Sequence, residues 1–140
     1  MLKIFEKRRI IPFIITFIIA LEIFFYSTLK GEISGIPSKI NLAIIYHISI
    51  FFLFTFFLFI TIRGKEKVNL KIILIVLGIS ALYALSDEIH QMFVYGREAT
   101  IKDIIFDLVG SLISITSYLL INKRTSQPVT PPDRPKAGGR

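Results

Sequence analysis

Apolar residues along this chain fall into four long runs separated by short polar stretches. The first covers residues 10–29 and is broken only by Glu22. The second covers residues 41–62. The third covers residues 70–85 and continues toward residue 94 if the polar stretch after Leu85 stays helical. The fourth covers residues 104–121. Each run is near the ~20 residues needed to cross a ~30 Å hydrocarbon layer. None alternates with a period of two, and lipid forces every backbone polar group to be satisfied within its own segment, which leaves helices. No internal repeat stands out. The pattern predicts an all-α fold, a four-helix transmembrane bundle occupying residues 1–124. Residues 125–140 are rich in Pro and Gly and lack any core-forming pattern, so a disordered cytoplasmic tail is expected there.

Charge placement orients the bundle. If the N-terminus is inside, the inside segments hold Lys3, Lys7, Arg8 and Arg9, then Arg63, Lys65, Lys67 and Lys71, then Lys123, Arg124, Arg134, Lys136 and Arg140. That is thirteen of the 17 Lys and Arg; the outside loops hold the other four, Lys30, Lys39, Arg97 and Lys102. The asymmetry predicts N-in and C-in under the positive-inside rule. The basic start followed by an apolar run has the outline of a signal peptide. The run is too long, Glu22 interrupts it and no small-residue cleavage site follows, so it reads as an uncleaved first span.

Composition narrows the class. Hydrophobic residues make up 53% and charged residues 19%, against roughly 45–50% and about 25% in soluble domains. With 140 residues there is room for one domain, and a soluble enzyme or a disordered chain does not fit. The absence of cysteine excludes disulfides, thiolate metal sites and cysteine nucleophiles. The net charge of +7 raises a nucleic-acid reading. No basic fold or aromatic platform accompanies it, so no nucleic-acid partner is expected. The basic middle loop reads instead as a topology signal in contact with anionic lipid. The many Phe of the second span read as lipid-facing bulk and packing.

Ionisable residues within spans are costly and tend to be functional. Glu22 lies about seven residues before the outer end of span one, roughly 10 Å deep at 1.5 Å per residue. His47 sits at a similar depth in span two. Asp87, Glu88, His90 and Gln91 come at the outer end of span three, and Asp103 and Asp107 at the outer start of span four. All fall in the outer third. Periodicity agrees. Asp103, Asp107, Gly110, Ser114 and Ser117 share one face of span four, polar at one end and small below, where another helix can approach closely. Ser80, Tyr83 and Asp87 share a face of span three, His47, Phe51 and Thr55 one of span two, and Glu22 and Tyr26 one of span one. A bundle would aim these stripes at a common axis. Between spans three and four, Gly96 and Arg97 mark a turn, and Thr100 with Asp103 resembles a helix N-cap box. Arg97 is thereby expected over the acidic layer, a natural partner for carboxylates or for an anionic ligand.

The stretch 86–111, SDEIHQMFVYGREATIKDIIFDLVGS, is similar to the signature of the VanZ-like family of membrane proteins. The matching residues are Asp87, Glu88, His90, Gln91, Phe93, Val94, Gly96, Arg97, Asp103 and Gly110. His47 fits an upstream histidine of that family, and Ser27 a serine at the end of the first span. Three departures are Tyr95 where the family usually has Pro, Asp107 where it has Asn, and Phe51 where Tyr often follows the second-span His. The Asp107 change adds a carboxylate to the layer. The resemblance implies a multi-pass protein of the cell membrane and a link to resistance against the glycopeptide teicoplanin. It implies no specific reaction.

Several chemistries fit the layer. Two histidines and up to five carboxylates suit Zn²⁺ or Mn²⁺ by ligand type, although no HExxH motif is present. Paired buried polar groups that only hold the bundle together are the bland counterpart. For catalysis, Asp87, Glu88, His90, Gln91 and His47 are the candidates. His47 or His90 would be the base, a carboxylate its orienter, and Ser27, Ser86 or water the nucleophile. Arg97, Asp103, Asp107 and Glu22 are the candidates for contacting a substrate. Proton- or ion-coupled transport is a further option, weakened by the lack of broken helices and inverted repeats. The leading expectation is an envelope protein whose outer-leaflet polar pocket binds or processes a lipid head group or a lipid-linked cell-wall precursor. A non-catalytic structural or binding membrane protein and a small ion-coupled transporter compete with it. Cofactor, metal and oligomeric state stay open.

Overall fold

The computed structural model describes residues 8–29, 39–97 and 99–125. The expected tail beyond residue 125 lies outside them. Four helices follow one another up and down: α1 Ile10–Thr28, α2 Lys39–Arg63, α3 Leu70–Gln91 and α4 Ile101–Thr125. Their lengths of 19, 25, 22 and 25 residues correspond to about 28–38 Å of helix. All four are long and apolar enough to cross a membrane.

The ends of the helices follow local chemistry. Asn69 caps α3, its side chain accepting from Ile72 N–H at 2.9 Å. The Ser-Asp-Glu-Ile-His-Gln stretch does stay helical, so α3 runs to Gln91. Helix α4 begins earlier than its apolar run because Thr100 caps it: Asp103 N–H donates to Thr100 Oγ1 at 3.3 Å, and that hydroxyl donates to Asp103 Oδ2 at 2.9 Å. Gly64, with φ 54°, ends α2 in the left-handed conformation glycine permits.

Helices α2 and α3 form the short diagonal of the bundle, with α1 and α4 on either side of it. The most extensive contact is α2 on α4. Gly110 makes it possible: a Cβ there would run into the backbone carbonyl of Ile48. Small residues at helix interfaces allow such approach in membranes. The apolar core holds Ile23, Phe51, Phe54, Phe59, Val76 and Tyr118. Several of the span-two phenylalanines are thus core rather than lipid-facing bulk. The outward faces remain apolar, with Phe25 62%, Leu42 70% and Leu82 69% exposed. In water such surface would be a liability; facing acyl chains it is matched to its solvent.

Mid-depth, a hydroxyl hub joins three helices. Thr55 Oγ1 donates to Ser111 Oγ at 2.9 Å and lies 3.0 Å from Ser80 Oγ, while Ser111 donates to the Asp107 carbonyl at 2.9 Å. Each hydroxyl has one proton. Once Thr55 donates to Ser111, Ser80 must be the donor to Thr55. All three side chains are fully buried. At the far end, Arg63 of α2 donates to Tyr118 Oη of α4 and lies over its ring. Arg9 donates to the Arg63 carbonyl at 3.4 Å and packs where a Gly64 side chain would stand.

Candidate functional site

The polar residues gather at the end of the bundle formed by the C-termini of α1 and α3 and the N-termini of α2 and α4. Their helical positions put them there, but they do not form one ring. They sort into three groups with different partners.

The first is a buried pair across α2 and α4. His47 Nδ1 donates to Asp107 Oδ1 at 2.8 Å, with Asp107 completely buried and His47 8% exposed. Asp107 Oδ2 has no hydrogen-bond partner. With Nδ1 committed to the carboxylate, Nε2 is the nitrogen left for the space His47 lines. Glu88 and Asp103 also lie within electrostatic reach of this imidazole, and Asp87 within reach of Asp107.

The second group lines a cleft between α1, α2 and α3. Its walls include Ser27, Tyr26, Tyr46, His47, Asp87 and Gln91, with Arg97 at the rim. Its empty volume is about 240 Å³ counting the part that opens outward. The enclosed part is the size of a single water molecule. Gln91 Nε2 donates to Asp87 Oδ2 at 2.8 Å, one turn along α3. Ser27 Oγ stands beside Asp87, buried and without a partner at full hydrogen-bond distance. Tyr26 and Tyr46 stack with centroids 4.2 Å apart.

The third group sits where α3 meets the start of α4. Glu88 Oε2 accepts from Thr100 N–H at 2.8 Å, and Oε1 is buried without a partner. Asp103 is held in the Thr100 cap. Glu88 thus ties the cap of α4 to α3.

Three expectations need correction. Glu22 does not face the bundle axis. It is exposed at the margin, where it accepts from Tyr46 Oη at 3.1 Å. The α1 face that packs inward carries Pro12, Thr16, Ile23 and Ser27, and a helix turns ~100° between Glu22 and Ile23. Among the described residues no carboxylate orients His90; Asp87, one turn away, accepts from Gln91 instead. His90 leans on the ring of Phe24 at 4.7 Å, its Nε2 buried without a partner. Arg97 does not rest over the carboxylates. Its Nε donates to the Leu29 carbonyl at 3.1 Å and its Nη2 to the Tyr26 carbonyl at 2.7 Å, so it caps the C-terminus of α1. A cation there answers the negative end of the helix dipole.

Four residues escaped sequence reasoning. Tyr46 joins the cleft to Glu22, Ser111 completes the hydroxyl hub, and Arg63 with Tyr118 closes the far end. Ser111 directly follows Gly110 and lies four residues after Asp107, a spacing that was open to inspection; the others carry no sequence signal of their partners. Among the described residues, no group of three or more His, Asp or Glu is arranged to hold a metal ion. The site offers instead a histidine oriented by a carboxylate, a buried serine in the same cleft, and an aspartate braced by glutamine.

Neither a curated protein nor a solved structure matches the chain. The family model described as VanZ/LLP1 matches residues 3–122, a span that takes in all the residues of the cleft and nearly the whole of the four helices. This is a multi-pass membrane protein, and the chain belongs to the VanZ/LLP1 family.

Proposed function

We propose that this protein works in the cell membrane, N-in and C-in, with its cleft opening at the outer leaflet, where it binds a polar head group of a lipid or lipid-linked envelope component. The thirteen-to-four Lys/Arg asymmetry supports the orientation. The observation that carries the ligand reading is the cleft. Polar side chains from three helices turn Ser27, His47, Asp87 and Gln91 toward one small space at membrane-edge depth. A bundle needing polar contacts only for cohesion has them already in the saturated Thr55–Ser80–Ser111 hub.

The same site is equipped to process what it binds. Asp107 fixes the His47 ring through Nδ1, which leaves Nε2 to accept a proton from Ser27 Oγ or from a water. His47 serves this role better than His90, which leans on Phe24, and Ser27 better than Ser86, which is exposed and donates to the Tyr83 carbonyl. Glycopeptide tolerance is the envelope phenotype to assay.

The test uses His47→Leu, Asp107→Leu and the double replacement in cells and in purified form. Each single change strands a buried polar partner and costs about 3–5 kcal/mol. The double change removes both and recovers abundance and melting. If the cleft is functional, the recovered double variant still lacks head-group retention and envelope phenotype. A double variant that is stable and fully active would establish the purely structural class instead.

A further inference from the structure

Resting on the head-group reading above, we propose that the chemical group the cleft accepts is a primary ammonium. Two features select it: the balance of donors and acceptors on the walls, and the sign of the charge there.

The nitrogen donors of Arg97 and Gln91 are turned toward the protein's own acceptors. Arg97, the cation at the rim, directs Nε and Nη2 to the Leu29 and Tyr26 carbonyls, at 3.1 and 2.7 Å, and its guanidinium carbon lies 5.5 Å from the Tyr26 ring centre. Gln91 gives its amide N–H to Asp87. The acceptors are not used up. Ser27 Oγ is buried, with the residue 2% exposed, and stands beside Asp87 with its lone pairs unused. Asp87 keeps a second oxygen, and Gln91 its carbonyl. A phosphate or carboxylate entering here would be set against the Asp87 carboxyl group. An ammonium brings three donors and no acceptor, which matches Ser27, Asp87 and Gln91.

Charge points the same way. His47 stands among Asp107, Glu88 and Asp103, and Asp87 adds a fourth carboxylate on the cleft wall. An anion entering the cleft meets the Asp87 carboxyl group on its wall, whereas a cation is drawn to it. Glu22 adds another carboxylate at the mouth, held by Tyr46.

Hydrogen bonding then chooses among cations. Three acceptors on the walls suit a group that carries three N–H donors. An –NH₃⁺ group supplies them; a trimethylammonium supplies none. An ethanolamine-type lipid head group and a free primary amine share this chemistry.

Native mass spectrometry of the full-length protein in detergent distinguishes them. The lipids are phosphatidylethanolamine, phosphatidylcholine and phosphatidylglycerol with identical acyl chains, and free ethanolamine is the soluble competitor. Wild-type protein should retain the ethanolamine lipid about tenfold more than either other lipid, the usual worth of one charge-assisted hydrogen bond. Asp87→Asn should bring the three lipids close to parity. Ser27→Ala, a milder change that keeps the fold if Asp87→Asn does not, should cut the preference about fivefold, as for one neutral hydrogen bond. Displacement by free ethanolamine, lost in Asp87→Asn, supports a soluble amine source; failure to displace supports the lipid. Equal or stronger retention of the choline or glycerol lipid, still sensitive to Ser27→Ala, overturns the ammonium assignment and leaves the head-group reading standing. A preference for the ethanolamine lipid that survives both substitutions overturns the cleft as its site. Retention of no lipid and no amine overturns both readings.

Discussion

Replacing Gly110 with alanine tests the packing that sets the site. The added Cβ would meet the Ile48 carbonyl oxygen head-on and stand 3.1 Å from the Ile48 carbonyl carbon and Cα. Ordinary carbon–carbon contact is about 3.5–4.0 Å, so α4 and α2 must part by roughly 0.5–1 Å. A gap of that size forfeits about a quarter to a half of each contact's attraction, and here it runs along the most extensive seam of the bundle. Overpacking costs about 1–3 kcal/mol, and a clash with main chain, which cannot rotate aside, falls in the upper part of that range, about 2–3 kcal/mol. Alanine's better helix propensity returns about 1 kcal/mol. A net loss of about 1–2 kcal/mol is expected. Gly78→Ala is the internal control, because nothing lies within 4 Å of a Cβ at that helical position. That variant should gain about 0.5–1 kcal/mol. Thermal unfolding of both in the same detergent, followed by far-UV circular dichroism, should shift in opposite directions. Gly110 lies one turn from Asp107, and Ile48 is next to His47. Parting the helices therefore also stretches the 2.8 Å His47–Asp107 bond. A Gly110→Ala protein as stable as wild type, or a shift in the same direction as Gly78→Ala, would refute the close approach of α4 to α2.

Thr100→Ala removes the cap of α4 and should cost about 1 kcal/mol, with faster amide hydrogen exchange confined to the first turn of that helix; unchanged exchange there would count against the cap. Glu22→Gln keeps an acceptor for Tyr46 on an exposed side chain and should change stability by less than about 0.5 kcal/mol, whereas a loss of several kcal/mol in the same melting assay would return Glu22 to the bundle interior. A reporter fused after Arg124 should read cytoplasmic, and one inserted between Tyr95 and Glu98 should read external; the reverse labelling would turn the cleft to the inner leaflet and defeat the outer-leaflet reading.

The helices were legible because run length and apolarity are one-dimensional properties. Even the end of α3 could be anticipated, since the six residues after Leu85, five of them polar, carry no Gly or Pro to stop a helix. The Thr100–Asp103 cap was legible because its partners are three residues apart. The depth of the polar layer was legible by counting. Its partners were not. His47 has Asp87, Glu88, Asp103 and Asp107 within reach of its layer, and only the azimuth of each helix decides that Asp107 receives Nδ1. Azimuth also explains Glu22. In a run of twenty apolar residues a single carboxylate does not fix which face turns inward, and the small face of Pro12, Thr16 and Ser27 won. Arg97 was placed near carboxylates by charge. Its actual acceptors are main-chain oxygens of α1, at the end of a helix 68 and 71 residues upstream, which side-chain chemistry does not announce.

The hydroxyl hub carries a consequence for which helices can turn. Ser80, Thr55 and Ser111 fix the azimuth of α3, α2 and α4 against one another at mid-depth, where breaking a hydrogen bond leaves no water to take its place. Helix α1 has no share in that lock. Its polar ties to the rest of the bundle include Tyr83 Oη donating to the Ala20 carbonyl, Tyr46 on Glu22, Arg97 on its last carbonyls, and Arg9 at its start on the Arg63 carbonyl. Turning α2, α3 or α4 about its own axis therefore breaks the hub, whereas the azimuth of α1 is set elsewhere, by its packing on α2 and by contacts at its two ends. Arg97 holds the Tyr26 and Leu29 carbonyls, so the rim of the cleft is tied to α1 and not to the hub.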